Sequence, residues 1–399
     1  MSEIIYPNDS TREYHPAVTD SVIWPDPGGY PAAQLGMYLW TREGLLRRTG
    51  DQSLLAMWTT GGPIEPWTGN YTVIRRSTDN GQTWQDAGTF SHPTRGLFTT
   101  ELFQGDDGSI HAFINSYGVG VWMTQLLSHR AISRDGGLTW AGPHSIPGGV
   151  QNVWPNRGIR HTSGRWMIPV SWAELSGVEW AEPSVGQPPV RGQVGHRELV
   201  QETLHYGADV NLHYQKGNAW ADRNHRYVCG VMLSDDQGDT FRLRGYLRGG
   251  VHGHLLEPRL VELGDGGIVM LIRSQRDGRL WRSQSHDGGE TWSAAERSEI
   301  PNPAAKINIL RARDGRIFLI HNPTGHGGET MGGRNPLSLW VSHDDMQSWP
   351  VQVDLVRDRQ PGNSLNYPDG FLDEEAGVIR FVWEDTYSVH FMNVPMDIR

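Results

Sequence analysis

Five copies of one octapeptide pattern, Ser-x-Asp-x-Gly-x-Thr-Trp, limit what this chain can fold into more than any other feature of it. Three are complete: Ser77–Trp84, Ser133–Trp140 and Ser285–Trp292. Two are degenerate: Ser234–Phe241 ends in Phe, and Ser342–Trp349 carries Met346 where the others have Gly. The pattern is that of a tight hairpin. Its Asp accepts hydrogen bonds from nearby backbone N–H groups, its Gly supplies a positive φ, and its aromatic residue folds back as a hydrophobic plug. A hairpin of one kind returning about every fifty residues is the sequence signature of a β-propeller.

The repeat also gives a blade count. The aspartates stand at 79, 135, 236, 287 and 344, at intervals of 56, 101, 51 and 57. The long interval is about two ordinary ones, so a blade without the octapeptide is expected there. Residues 158–161 and 165–172 read as two of its strands, joined at Thr162-Ser-Gly164. Strands predicted at 377–383 and 387–392 complete a blade with N-terminal residues and close the ring. The expected fold is all-β, a six-bladed propeller with seven blades as the alternative. Residues 1–35 are read as an N-terminal extension partly closing the ring and 36–399 as one propeller domain. A polar stretch at about 173–226 reads as a long loop over one face, or as a lid.

Composition removes several function classes. A formal charge of −10 with no basic cluster argues against nucleic acid. No run of eighteen apolar residues occurs, so no membrane span is expected. Cys229 is the single cysteine, which excludes an internal disulfide. The opening residues lack a basic and then apolar leader pattern, so cytoplasmic residence is the expectation. No cofactor is expected.

Propellers place ligands on the axis, where the inner strands and their loops converge. Candidate residues should therefore stand upstream of the octapeptides, early in each unit. Glu257 and Arg273 stand so, at the ends of adjacent strand signals in Leu255–Leu263 and Asp265–Arg273.

With these residues the chain resembles the sialidase superfamily, whose Asp-boxes the octapeptides match. That family carries a glutamate before a "VVEL-x-DG" strand, then an arginine ending the next strand, then a box, and all three occur here in order. Arg334-Asn-Pro-Leu-Ser-Leu-Trp-Val-Ser342 is similar to the segment of the family's third arginine. Ser364-Leu-Asn-Tyr367-Pro-Asp-Gly-Phe371 is similar to the segment of its nucleophilic tyrosine. Arg42 and the apolar frame to Ala56 look like its opening strand pair, with Arg47 and Arg48 competing for the same role. The resemblance spans roughly 36–395 and is only generic between 142 and 230.

It implies that Tyr367 is a nucleophile, Glu257 its base, and Arg42, Arg273 and Arg334 a clamp for a substrate carboxylate. Three guanidinium groups can hold one carboxylate by charge-assisted hydrogen bonds. A neutral phenol is not repelled by that carboxylate as an Asp or Glu nucleophile would be. The activity implied is exo-acting hydrolysis of a terminal carboxylate-bearing sugar, with an acidic oligosaccharide or glycan as the partner.

One element departs from the family. The loop that should bear an acid/base aspartate reads Thr59–Val73 and contains none; Glu65 is its only carboxylate. Histidines are the other candidates: His252 and His254 could serve as acid/base, as metal ligands, or as hydrogen-bonding groups, and no metal site is expected because a third ligand is missing. His161, His321 and His326 stand behind them. Trp67, Trp122 and Trp154 read as core residues before sugar platforms. Without the aspartate, a second chemistry stays open, in which the arginines acidify a uronate C5–H and His254 or Tyr367 removes it in β-elimination. A non-catalytic glycan-binding propeller is the third reading.

Overall fold

The computed structural model describes residues 11–24, 41–61, 65, 69–92, 95–118, 126–175, 183–185, 205–206, 225–249, 254–275, 277–325, 333–360, 364–385 and 388–399. They form six antiparallel sheets set around one axis as the blades of a propeller. Blade 1 runs outward through Arg42–Arg48, Leu54–Thr60, Tyr71–Ser77 and Gln85–Ser91. Blade 2 comprises Gly96–Gln104, Ile110–Tyr117, Leu127–Ser133 and Ala141–Ser145. Blade 3 has a broken inner edge, Trp154–Pro155 and Ile159–Arg160, then Trp166–Leu175, His225–Ser234 and Arg242–Gly249. Blade 4 is Leu255–Glu262, Ile268–Ser274, Arg279–Ser285 and Glu296–Pro301. Blade 5 is Asn308–Arg311, Ile317–His321, Leu337–Ser342 and Val351–Asp358, with Arg12–Tyr14 added outside. Blade 6 is Asn366–Asp373, Val378–Glu384 and Val389–Pro395, completed by Thr19–Trp24.

Six blades is the expected number, but the blade without a box is not where the spacing put it. The strands at 159–160 and 166–175 are the first and second of the blade whose box follows at Asp236. That interval is long because residues 176–224 join the second and third strands of blade 3. Of that connection only Pro183–Val185, on the edge of blade 3, and His205–Tyr206, on the edge of blade 1, are described; its expected role as a lid lies outside the described residues. The boxless blade is the sixth. Its outer strand comes from the other end of the chain, so no hairpin joins its third and fourth strands.

The boxes do what their chemistry requires. In the first, Ser77 Oγ accepts from Gly81 N at 2.8 Å and donates to Asp79 Oδ1 at 2.7 Å. The Asp79 carboxylate takes Thr83 N at 2.9 Å and Thr83 Oγ1 at 2.6 Å. The same bonds recur around Asp135, Asp236, Asp287 and Asp344. The plugs bridge blades: Trp84 meets Phe391 of blade 6 edge-on at 5.5 Å, Trp140 meets Phe90 of blade 1 at 5.4 Å, and Phe241 meets Phe113 of blade 2 at 6.0 Å. Gly81, at φ +90°, lies so close that a Cβ there would stand 2.2 Å from the Phe391 ring, which leaves glycine alone fitting both the turn and the interface.

Ring closure rests on a buried ion cluster. His390 Nδ1 lies 2.8 Å from Asp20 Oδ2 on the N-terminal strand, and its Nε2 lies 3.5 Å from Asp385 Oδ2. The ring stacks on Trp383 at 4.0 Å, and Arg12 pairs with the same Asp385. Burial opposes charging of the imidazole, as does Arg12 Nη1 at 3.1 Å from Nε2, but Asp20 and Asp385 outweigh burial and raise the pKa to about 9. The pKa is raised on folding, so the stabilisation is complete below the unfolded value near 6.5 and is lost as pH climbs through 9. The protein's stability against unfolding should therefore fall by an amount on the order of 3 kcal/mol between pH 6.5 and 10. His390→Gln should lower Tm at pH 6.5 and flatten that limb. An unchanged slope in the variant would show that the limb has another origin.

Candidate active site

In each blade the first strand begins, the second ends and the third begins on one face, while the boxes join third and fourth strands on the other. Arg42, Glu257 and Tyr367 stand at first-strand starts, Arg273 and Glu384 at second-strand ends, and Arg334 just before a third strand. Antiparallel pairing thus brings residues from blades 1, 4, 5 and 6 to one end of the axis.

A repeated backbone device aims two of them, Glu257 and Tyr367, together with Glu43. The ladders between first and second strands shift register between Arg42 and Leu45, Leu256 and Arg259, and Asn366 and Asp369. In each case two residues oppose one, a β-bulge that bends the strand and redirects a side chain. The first bulge residue is Glu43, Glu257 or Tyr367, with φ of 63°, 51° and 48°. Positive φ is costly for residues with a Cβ and concentrates where a site needs a side chain held against its local preference. The displaced N–H of Glu257 is satisfied by Ser171 Oγ of blade 3 at 2.8 Å.

Tyr367 is the centre. It is buried, and its ring centroid lies 5.0 Å from the Arg334 guanidinium carbon, 5.8 Å from that of Arg42 and 6.0 Å from that of Arg273. Lys306 Nζ is a fourth cation at 5.1 Å. Arg273 Nη1 donates to Glu257 Oε2 at 2.5 Å and to the Tyr367 hydroxyl at 3.2 Å, so one guanidinium links the carboxylate and the phenol. Arg334 donates to Asn366 Oδ1 at 3.0 Å and to the Ala304 carbonyl at 2.8 Å. The Nε groups of Arg273 and Arg334 are buried without a hydrogen-bond partner among the described residues.

The carboxyl groups divide in two. Burial penalises the charge on Glu257, but Arg273 and Lys306 outweigh it and hold the group below the usual range. Glu65 goes the other way: burial, then the neighbouring Glu43, raises it to about 8 against the pull of Arg42 and Lys306. Glu384, 3.5 Å from Arg42, is also raised to about 8 by burial. Glu43 is paired with Lys306, whose own charge is reinforced by Glu43 and Glu257 against the cost of burial. Burial also pushes the Glu43 carboxyl up against the pull of Lys306, so four cations outnumber the carboxylates held ionised, and the excess of positive charge suits an anionic ligand.

The structure brings together Arg42, Arg273, Arg334, Glu257 and Tyr367, with Glu65 in electrostatic reach of the same group. His254 packs edge-on to Tyr227 of blade 3, with ring centroids 5.6 Å apart. Arg47 turns to a deeper layer of the axis, and Arg48 pairs with Asp373 at 2.5 Å, which leaves Arg42 as the blade 1 arginine beside Tyr367. His321 is buried edge-on to Trp340, its pKa pushed down to about 3 by burial, and His161 lies on the box face near Glu262. Trp154 is buried against Tyr227 and offers no platform. His252, His326, Trp67 and Trp122 lie outside the described residues. Sequence reasoning missed Glu43, Lys306 and Glu384. For Lys306 a signal existed, because the chain has only two lysines.

Comparison with known proteins agrees with this architecture. The BNR repeat-like domain family matches residues 52–379. No curated protein matches the chain. Among solved structures it is similar to the Hadza microbial sialidase Hz136, at 15% identity and a TM-score of 0.65, over 90% of this chain and 66% of that one. It is similar to a protein of unknown function from Dyadobacter fermentans, at 14% identity and 0.65, over 95% and 99%. It is also similar to the Trypanosoma rangeli sialidase in complex with the inhibitor DANA, at 14% and 0.60, over 89% and 55%. The chain thus spans just under two thirds of the first sialidase and about half of the second. With the family matched over most of its length and the blades arranged as in those neighbours, this chain is a member of the BNR repeat-like domain family, built as a sialidase-like Asp-box propeller.

Proposed function

We propose that the protein is an exo-acting glycoside hydrolase that removes a terminal carboxylate-bearing sugar from an acidic oligosaccharide or glycan. The observation that carries this reading is the Tyr367 ring held among Arg42, Arg273, Arg334 and Lys306, with Glu257 joined to its hydroxyl through Arg273. The substrate carboxylate accepts from the arginines, including the open Nε edges of Arg273 and Arg334. The Tyr367 oxygen attacks the anomeric carbon and its proton passes to ionised Glu257, while Glu65 gives its proton to the departing glycosidic oxygen. Water then attacks the glycosyl–tyrosine bond, its proton returns to Glu65, and the phenol recovers its own. The net change is one water added per bond cleaved. The similarity to a sialidase solved with sialic acid makes sialosides the first substrates to try.

A panel of sialosides and uronate-terminated oligosaccharides, read by product mass and near-ultraviolet absorbance, tests the proposal. Products summing to substrate plus one water, without new absorbance, are expected. Cleavage without added water and with new absorbance would mean elimination, and binding without cleavage would mean a glycan-binding propeller.

A further inference from the structure

Below the candidate site the axis carries a second layer of charge that the proposed chemistry does not use. Arg259 and Asp369 come two residues after Glu257 and Tyr367 on their first strands, just past the bulges, and meet at 3.6 Å. Arg47 of blade 1, Glu101 of blade 2 and Arg157 at the inner edge of blade 3 join them. Arg259 and Glu101 are each 1% exposed and Asp369 is fully buried, whereas the Arg157 side chain keeps 15% of its surface.

Part of this layer is fully bonded. Arg47 donates to Glu101 Oε2 at 2.7 Å, to Asp369, and to the carbonyls of Leu102 and Leu46. Glu101 Oε1 accepts from Gly158 N at 3.2 Å, and Arg259 Nε donates to the Ile307 carbonyl at 2.8 Å. The rest is not. Arg259 Nη1 and Nη2 and Arg157 Nη1 are buried with no hydrogen-bond partner among the described residues, as is Asp369 Oδ2. Asp369 pairs with Arg157 Nη1 through Oδ1 and with Arg259 Nη2 through Oδ2, each at 3.6 Å, so one carboxylate is shared by two guanidinium groups at more than hydrogen-bond distance. Three guanidinium groups face two carboxylates, a formal excess of one positive charge; burial pushes the Glu101 carboxyl up and the Arg157 guanidinium down, to about 10. Uncompensated buried charge and buried donors without acceptors are both costly.

We propose that this layer is an anion site, holding one small monovalent inorganic anion of the chloride class between Arg157 and Arg259. A single negative charge balances the formal excess, and a dianion would overshoot it. A spherical ion accepts N–H groups from several directions without the geometry a carboxylate needs. Water could satisfy the donors but would leave the charge. The partly exposed Arg157 gives the ion its route from solvent. The site is independent of whether the upper layer hydrolyses glycosides.

Bromide replaces chloride and scatters anomalously, so crystals of the intact protein grown or soaked in bromide test the placement directly. An anomalous peak in contact with both guanidinium groups is expected. Density without anomalous signal would be water and would overturn the proposal. Thermal unfolding in chloride against gluconate at equal ionic strength supplies the solution arm. The protein should show a saturable rise in Tm with chloride, since the ion binds only the folded state, and Arg157→Met should lose that increment. A crystal peak with no chloride dependence in solution would mean binding at crystal concentration only and would also overturn a resident ion. Equal chloride responses in both proteins would mean a general salt effect. If Arg157→Met does not fold, the bromide map and the melts of the unaltered protein decide the matter.

Discussion

Tyr367→Phe should lose turnover of acidic glycosides by about a thousandfold or more, because it removes the one atom that forms the covalent bond in the proposed mechanism. Little else should change. The ring remains for Arg42, Arg273, Arg334 and Lys306 to surround, and the phenol's one described hydrogen bond is a shared one from Arg273 at 3.2 Å. The variant should fold normally and bind the released acidic sugar with a Kd close to that of the unaltered protein by calorimetry. Activity within tenfold of normal would assign the nucleophile elsewhere. Lost binding together with lost turnover would mean that the hydroxyl holds the site rather than reacts.

Glu65→Gln should cost kcat/KM about a hundredfold to ten-thousandfold on natural glycosides, the range for a missing general acid. Aryl glycosides of acidic phenols should keep kcat/KM nearly as before, because such leaving groups need no proton, while their kcat falls because Glu65 no longer takes the proton of the attacking water. The sign of the pH dependence follows from the raised pKa. The acid works protonated, so the rate should hold below about 8 and fall above it, and Glu65→Gln should lack that fall. Glu384 is also raised to about 8, so Glu384→Gln is the needed contrast: it should disturb Arg42 and raise KM while keeping the alkaline limb. A limb that survives in Glu65→Gln and disappears in Glu384→Gln would reverse the assignment.

The fold was legible because the boxes are local. Each is closed by hydrogen bonds within eight residues, so its identity survives in sequence whatever surrounds it, and even Met346 takes the glycine's place at φ 66°. Blade bookkeeping was less legible, because an insertion inside blade 3 and a missing box produce the same interval. The blade 6 hairpin does not exist as covalent chain, so no residue pattern could announce it. Within the site, Glu257 and Arg273 stand at the ends of adjacent strand signals, whereas Arg334 and Tyr367 were implied only by the resemblance of their segments to those of the sialidase family. The Glu43–Lys306 pair spans more than half the chain and is made by ring closure. Likewise, the bulges at Glu43, Glu257 and Tyr367 are followed by Gly44, Pro258 and Pro368, a cue too short to interpret before the ladders are seen. His254 was a plausible acid on proximity in sequence to Glu257, yet the bend entering blade 4 sets its ring against Tyr227.

The most direct test of the account is to trap the covalent intermediate. The protein would be incubated with a fluorinated analogue of whichever acidic sugar the panel releases, since fluorine beside the anomeric carbon slows hydrolysis of the intermediate more than its formation when the departing group is good. Intact mass and peptide mapping would then locate the label. The account predicts an increment of one sugar, on the Tyr367 hydroxyl, absent from Tyr367→Phe. A label on a carboxylate such as Glu257, or continued turnover by Tyr367→Phe, would contradict it.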